Sequence, residues 1–246
     1  MNACGYIING QWYPRVTSII SIKAKPALLK FYADSESYSH ALSTTKQSAS
    51  EGTKIHNAVE AILKKQSPEL DSEIMPAINA FQDFLRLHSL NTDAGAIEKR
   101  VWSNAHRFAG TIDILAEVDG LFGVLEIKTS SGIWRDYNLQ TSAYVCALQE
   151  DETWETLPKK PVEHRWILRL DQKQICTKCG ATKRTKGGRE TVKTNGAAAC
   201  DHEWSEVRGE WEFKNLEGFA KDYEAFLGAK KLWEWENELW LKQIGY

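Results

Sequence analysis

The chain has 246 residues, 42% of them hydrophobic and 26% charged, and carries a formal net charge of −2. That length suits one large domain or a domain with a small insert, with a substantial core. The charge balance excludes a uniformly basic surface, so any contact with nucleic acid must come from local basic patches. No apolar run approaches the roughly 20 residues of a membrane helix, and the N-terminus lacks the basic segment and long apolar core of a signal peptide.

Tyr6 to Tyr13 reads as a small hairpin turning at Asn9-Gly10, with Pro14 ending it. Val16 to Ser21 opens a helical pattern with Thr17 as N-cap. Lys25-Pro26 interrupts, and a helix resumes over 27–33. Ser35 to Ser50 is polar and Ser-rich, either loop or helix. Ser50 or Glu51 then opens a helix over 52–65, with Ile55, Val59, Ile62 and Leu63 at helical spacing. His56 and Glu60 share one of its faces. A scaffold helix is expected over about 73–90. Glu98 to Trp102 reads as the first strand of a sheet, with Glu98 an edge-strand surface charge by its position alone. Arg100 and Arg107 are candidates for phosphate contact, and Gly110 allows close approach of the backbone.

The central stretch is Gly110 to Lys128. Two apolar-rich runs, 111–118 and 121–127, flank Asp119-Gly120, a strong hairpin signal. Alternation along a strand places Asp113 opposite Ile112 and Ile114, and places Glu126 with Lys128. Charges inside such runs are expensive to bury unless they are paired or hold a metal, so either an ion pair or a metal site is expected. Thr129 to Gly132 is a polar turn suited to phosphate hydrogen bonds or to capping the next helix, 134–148. In that helix Gln140 and Tyr144 share a face.

A strand is expected over 162–170. Cys176, Cys179, Cys200 and His202 follow, a set of soft ligands suited to a closed tetrahedral zinc. Five cysteines with no export signal point to a reducing compartment, the cytoplasm, and to metal rather than disulfides. The segment 171–195 carries seven basic residues against Asp171 and Glu190, a patch suited to polyanions. Trp204 to Phe213 supplies the last strands, pairing with 162–170. A long helix over 215–240 packs along the sheet, and Cys146 reads as a core thiol.

The ordered set His56, Ile112-Asp113, Glu126-Ile127-Lys128 and Gln140-xxx-Tyr144 resembles the RecB-like branch of the PD-(D/E)XK nuclease superfamily. Ile112 replaces the proline of the motif. The resemblance covers residues 16–150 well and continues more loosely beyond. It implies an α/β restriction-endonuclease-like core with a mixed central sheet flanked by helices. It also implies metal-dependent hydrolysis of DNA, chiefly as an exonuclease on single strands or duplex ends, with little sequence specificity. A role in phage or bacterial replication, recombination or repair is an association of that family. By resemblance Asp113, Glu126 and Lys128 are catalytic. His56, Asp113, Glu126 and the Ile127 carbonyl would hold Mg²⁺ or Mn²⁺. Glu98 is a metal-site residue only by this family resemblance. Gln140, Tyr144, Thr129 and Ser130 would contact DNA or orient the site.

Some members of that branch carry an iron–sulfur cluster, for which Cys4 with Cys176, Cys179 and Cys200 is the alternative to zinc. The expected division is an N-terminal arm (1–50), a nuclease core (51–170), a zinc-ribbon insertion (171–206) and a C-terminal strand and helix (207–246). The rival readings are a non-catalytic DNA-binding module on a nuclease fold and a metal-dependent RNA-processing hydrolase.

Overall fold

The structure, a computed structural model, describes residues 4–150, 160–194, 196 and 199–246. Asn9 and Gly10 take positive φ (49° and 79°) and close the first hairpin, between β1 (Gly5–Ile8) and β2 (Gln11–Pro14). Helix α1 (Val16–Ile20) is capped at Arg15 without a side-chain bond, so the expected Thr17 cap is not formed. Thr17 lies one residue inside the helix, where its own backbone is already helical. Helix α2 (Pro26–Asp34) starts on its proline, where the missing N–H is not needed.

Helix α3 (Tyr38–Leu63) runs for 26 residues and takes in the Ser-rich stretch. Its start lies well before the expected Ser50 or Glu51, because Ser37 caps it by accepting the His40 N–H at 3.1 Å. A 3₁₀ turn over 72–74 leads into α4 (Met75–Leu87). That helix ends before Leu90 because β3 (Leu90–Asn91) is drawn into the sheet.

Strands β4 (Ile97–Ser103), β5 (Phe108–Val118) and β6 (Leu121–Lys128) form an antiparallel meander. The β5–β6 turn has the positive φ pair that Asp-Gly supplies, 51° and 82°. Helix α5 (Asp136–Glu150) then crosses to β7 (His164–Ile175), which lies parallel to β6. The outer end of β7 pairs with β8 (Thr182–Lys186), which hairpins into β9 (Arg189–Lys193). Strand β10 (Arg208–Asn215) returns antiparallel to β7, as expected. Asn215 therefore ends a strand. The last helix begins after Gly218 (φ 75°) as α6 (Phe219–Glu236) and breaks at Asn237 before α7 (Glu238–Gln243).

The result is a mixed α/β architecture with a central mixed sheet between two helical layers. Phe108, Ile112, Val124, Tyr144 and Phe226 pack one face, under α1, α5 and α6. Ile55, Val59, Phe81, Ile114 and Leu125 pack the other, under α3 and α4. The boundaries expected at residues 50 and 170 fall inside α3 and β7, which are continuous there. Helix α5 buries eight residues around most of its girth because the sheet and α6 cover opposite sides of it. Among the described residues no helix is long and apolar enough to cross a membrane.

Strict alternation fails at one point. Ile112 belongs to one core and Ile114 to the other, so β5 changes face at Asp113. On the neighbouring strand, between the pairs Ile97↔Ile114 and Lys99↔Ile112, Glu98 takes φ 53°. The β5–β6 ladder also stops at Ile114↔Leu125. Beyond it, Asp113 Oδ2 accepts the Ile127 N–H at 2.7 Å in place of a ladder bond. The carboxylate thus sits in the opening between the two strands.

Gly110 of β5 faces the ring of buried Tyr144, and a Cβ there would lie 2.3 Å from Tyr144 Cε1. Gly110→Ala is expected to lower stability by about 1–3 kcal/mol through overpacking. Urea unfolding checks this, and an unchanged midpoint would show that the Tyr144 ring gives way freely.

Candidate functional site

The chain folds its charged strand residues into one place. Glu126 and Lys128 project together from β6, and Lys128 Nζ donates to Glu126 Oε1 at 2.8 Å. From α5, Gln140 Nε2 donates to the same Oε1 and to Tyr144 Oη at 3.0 Å. The four-residue spacing of Gln140 and Tyr144 therefore points a buried polar pair at the sheet rather than at solvent. The other Glu126 oxygen, Oε2, is buried and has no partner among the described residues. An unpartnered buried carboxylate oxygen is costly, and its presence asks for a cation or a water.

From α3, His56 Nδ1 lies 3.7 Å from Asp113 Oδ2. His56, Asp113 and Glu98 bring ligand atoms within 4.8 Å of one another, a trio able to hold a metal ion. Glu98 is brought there by its left-handed backbone, so it is not simply the edge-strand surface charge it resembled in sequence. Glu126 stands outside that trio, its Oε1 occupied by Lys128 and Gln140. Ile127 meets Asp113 through its N–H; its carbonyl is not what the structure sets against the carboxylate.

Burial raises the Asp113 carboxyl to about 6, against the opposing pull of Lys128 and the Ile127 N–H. Burial and the nearby Asp113 raise Glu126 to about 7. Burial also lowers His56, with Lys128 adding to the effect. For Lys128 burial works against the charge, but Glu126 and Asp113 outweigh it and raise its pKa. Two acids with pKa values raised toward neutrality beside a retained cation form a strongly perturbed cluster of the kind that marks functional sites.

Lys128 and His56 open onto a cleft of about 670 Å³. Thr129 and Ser130 line it too, but both already have partners. Arg184 Nη2 and Lys186 Nζ donate to the Thr129 carbonyl, at 3.1 and 2.5 Å. Tyr137 Oη donates to Ser130 Oγ at 2.9 Å, and the ring of Tyr137 lies 5.0 Å from Lys128 Nζ. The hairpin β8–β9 forms a wall of this cleft, its tip seated on α3, where the Gly187 N–H donates to Glu51 Oε1 at 2.8 Å. Arg184 and Lys186 are thus cleft residues, which the sequence showed only as members of a basic segment. Arg100 and Arg107 do not line the cleft; their guanidinium groups lie over the rings of Tyr6 and Tyr246.

Beyond the hairpin, Cys176, Cys179, Cys200 and His202 converge, as their spacing suggested. Cys176 Sγ lies 4.0 Å from Cys200 Sγ, and Cys179 Sγ lies 3.4 Å from His202 Nδ1. A tetrahedral ion with zinc–sulfur bonds of about 2.3 Å sets its sulfurs about 3.8 Å apart, so the cluster fits a metal such as zinc. Burial opposes ionisation of Cys176, yet His202 and the N–H groups of Cys179, Lys178 and Glu203 hold its thiol at about 6. Cys4 is exposed and is not part of the group, so the four-sulfur alternative lacks its fourth sulfur and His202 stands there instead. Cys146 is only half-buried, its Sγ 3.6 Å from Glu150 Oε1 on the same helix, rather than a core thiol.

No protein-family model matches this chain, and no curated protein matches it either.

Proposed function

We propose that the chain is a metal-dependent phosphodiesterase acting on DNA, a RecB-like PD-(D/E)XK nuclease whose β7–β10 connection forms a zinc ribbon. The observation that carries this reading is the buried Glu126 carboxyl, one of its oxygens unpartnered, with Lys128 paired to it and the partly exposed Asp113 carboxyl on the neighbouring strand. Structural ion pairs close on themselves; this group leaves a buried acceptor without a partner, on a residue bonded to Lys128, which itself lines a basic cleft.

Hard carboxylate oxygens with one imidazole suit Mg²⁺ or Mn²⁺. Asp113, Glu126 and His56 are the residues that would hold such an ion, with Glu98 added to the set. A divalent ion supplies a bound water of lowered pKa and neutralises charge at the scissile phosphate. Lys128 Nζ holds a proton next to Glu126 and is placed to orient the attacking water and to donate to a phosphate oxygen. Gln140 keeps Glu126 Oε1 fixed, so that Oε2 is the oxygen presented. Tyr144, hydrogen-bonded to Gln140, keeps that amide in place.

The test is degradation of end-labelled single- and double-stranded DNA by zinc-loaded protein with Mg²⁺ or Mn²⁺. Cleavage that needs the ion and falls by about 10²–10⁴-fold in Lys128→Ala is the expected result. Unrelated sequences should be cut at similar rates, and one strongly preferred site would sink the low-specificity part of the reading. Folded protein that binds DNA without cutting it would instead make the chain a binding module.

A further inference from the structure

Helix α2 buries none of its side chains, yet it is not a polar helix. It carries Leu28, Leu29, Phe31 and Tyr32, with Leu29 66% exposed, and Tyr38 just beyond it is 68% exposed. Three of these side chains are ordered relative to one another. The Phe31 and Tyr32 rings lie 5.5 Å apart, and Tyr32 and Tyr38 5.7 Å apart. The run starts at the cleft, whose wall includes Phe31, and leads outward.

The facing wall is basic. Arg189 of β9 places its guanidinium 4.7 Å from the centre of the Phe31 ring. The cleft lining holds six basic side chains against two acidic ones, Asp171 and Glu210. Those two acids are already paired, with Arg184 and Lys173 among others. Arg189 and Lys193 pair with no carboxylate among the described residues. A surface with rings on one side and unneutralised cations on the other matches one polymer, a chain of flat bases on a phosphate backbone.

We propose that Phe31, Tyr32 and Tyr38, with Arg189 and Lys193, form a second binding subsite for an unpaired nucleic-acid strand on its way into the cleft. A duplex does not fit the ring run, because its base faces are covered by stacked neighbours and only unstacked bases offer theirs to a protein ring. Phosphates between the stacked bases meet Arg189 and Lys193. The direction of the strand, inward to Lys128, rests on the hydrolase reading above; the binding of the strand does not.

Fluorescence anisotropy tests this with the zinc-loaded 246-residue chain and no added Mg²⁺ or Mn²⁺. The probes are a labelled oligothymidylate of about 20 nucleotides, longer than the roughly 4–16 that such tracks cover, and a blunt duplex of the same length. The parent should prefer the single strand. The pair Tyr32→Ala with Tyr38→Ala should weaken strand binding by about 30-fold or more, from about 1–3 kcal/mol per stacked base, and leave duplex binding unchanged, while Phe at both positions restores it. Arg189→Ala with Lys193→Ala should flatten the salt dependence of log affinity by about 1.4, from about 0.7 per phosphate contact. Because Tyr38 is exposed and Tyr32 is only half-buried, the ring variants should keep the parent's circular dichroism. Unchanged strand affinity in the Ala pair, or equal losses on strand and duplex, overturns the subsite. The two readings fail separately. Ring-dependent binding without cleavage sinks the hydrolase alone, and cleavage with ring-independent binding sinks the subsite alone.

Discussion

Asp113→Asn is expected to abolish metal-dependent cleavage, by at least about 10³-fold, while making the metal-free protein more stable at pH 8. The reason is the energetic position of the carboxylate. Its pKa is raised from the ordinary 3.8 to about 6, chiefly by burial. Folding therefore disfavours the ionised form. The contribution of this group to stability is fully present below the unfolded pKa and is lost as pH rises through about 6. The shift corresponds to about 3 kcal/mol at most. An asparagine still accepts the Ile127 N–H but never ionises, so a gain of about 1–3 kcal/mol is expected at pH 8. The gain should be small near pH 4, grow up to about pH 6 and be flat above. Mg²⁺ or Mn²⁺ should reverse the order, because only the parent has the charge to bind it. Urea titrations at two pH values, with and without the ion, check all of this. A variant less stable than the parent at pH 8 without metal would show that Asp113 is a structural ion-pair partner instead.

Chelation or loss of a side chain at the Cys176–His202 cluster, which fits a metal such as zinc, should have the second large effect. The segment between β7 and β10 has few apolar contacts: β9 is exposed throughout, and β8 is nowhere buried. Its position rests on the four cluster residues, on the short β7–β8 ladder, on the Arg184 and Lys186 bonds to Thr129, and on the seat of Gly187 against α3, where a Cβ would lie 2.3 Å from Ser48 Oγ. Small zinc sites contribute roughly 10–16 kcal/mol of apparent folding energy, far more than those contacts. The chain should carry one zinc. Chelation or Cys176→Ser should release the hairpin, speed proteolysis within 171–206 and change the fluorescence of Trp204, whose ring lies 4.7 Å from that of His202. Cys4→Ser should leave the metal content unchanged. Loss of metal in Cys4→Ser, with visible absorption in the parent, would restore the iron–sulfur alternative. Because Arg184 and Lys186 reach the Thr129 carbonyl from this hairpin, zinc loss should also disturb the cleft.

Much of the site was legible because its signals are local. Asp-Gly can close a tight hairpin whatever surrounds it, since the turn needs only two residues that tolerate positive φ. A spacing of four brings Gln140 and Tyr144 to one helix face by helix geometry alone. Likewise Glu126 and Lys128 share a face because a strand repeats every two residues. Two cysteines two residues apart, with Cys200 and His202 further on, announce a metal through ligand chemistry. The Ser-rich stretch was harder: its intrinsic preference is ambiguous, and its helix is fixed by a cap at Ser37 and by the buried positions Ala41 and Thr44.

What the sequence by itself determined, then, was the set of elements around the hairpin, the shared face of Glu126 and Lys128, and the membership of the Cys176, Cys179, Cys200 and His202 cluster. Only the tertiary structure decided which charges meet. Ile112 and Ile114 fall in opposite cores because β5 changes face at Asp113, where the ladder to β6 has stopped and the carboxylate takes over a backbone hydrogen bond. Glu98 joins His56 through one left-handed residue that no periodicity encodes. Lys186 reaches Thr129 across 57 positions, and Gly187 reaches Glu51 across 136. Periodicity constrains a residue relative to its near neighbours along the chain. The cost of burying a charge depends on neighbours in space, and those exist only once the chain has closed on itself.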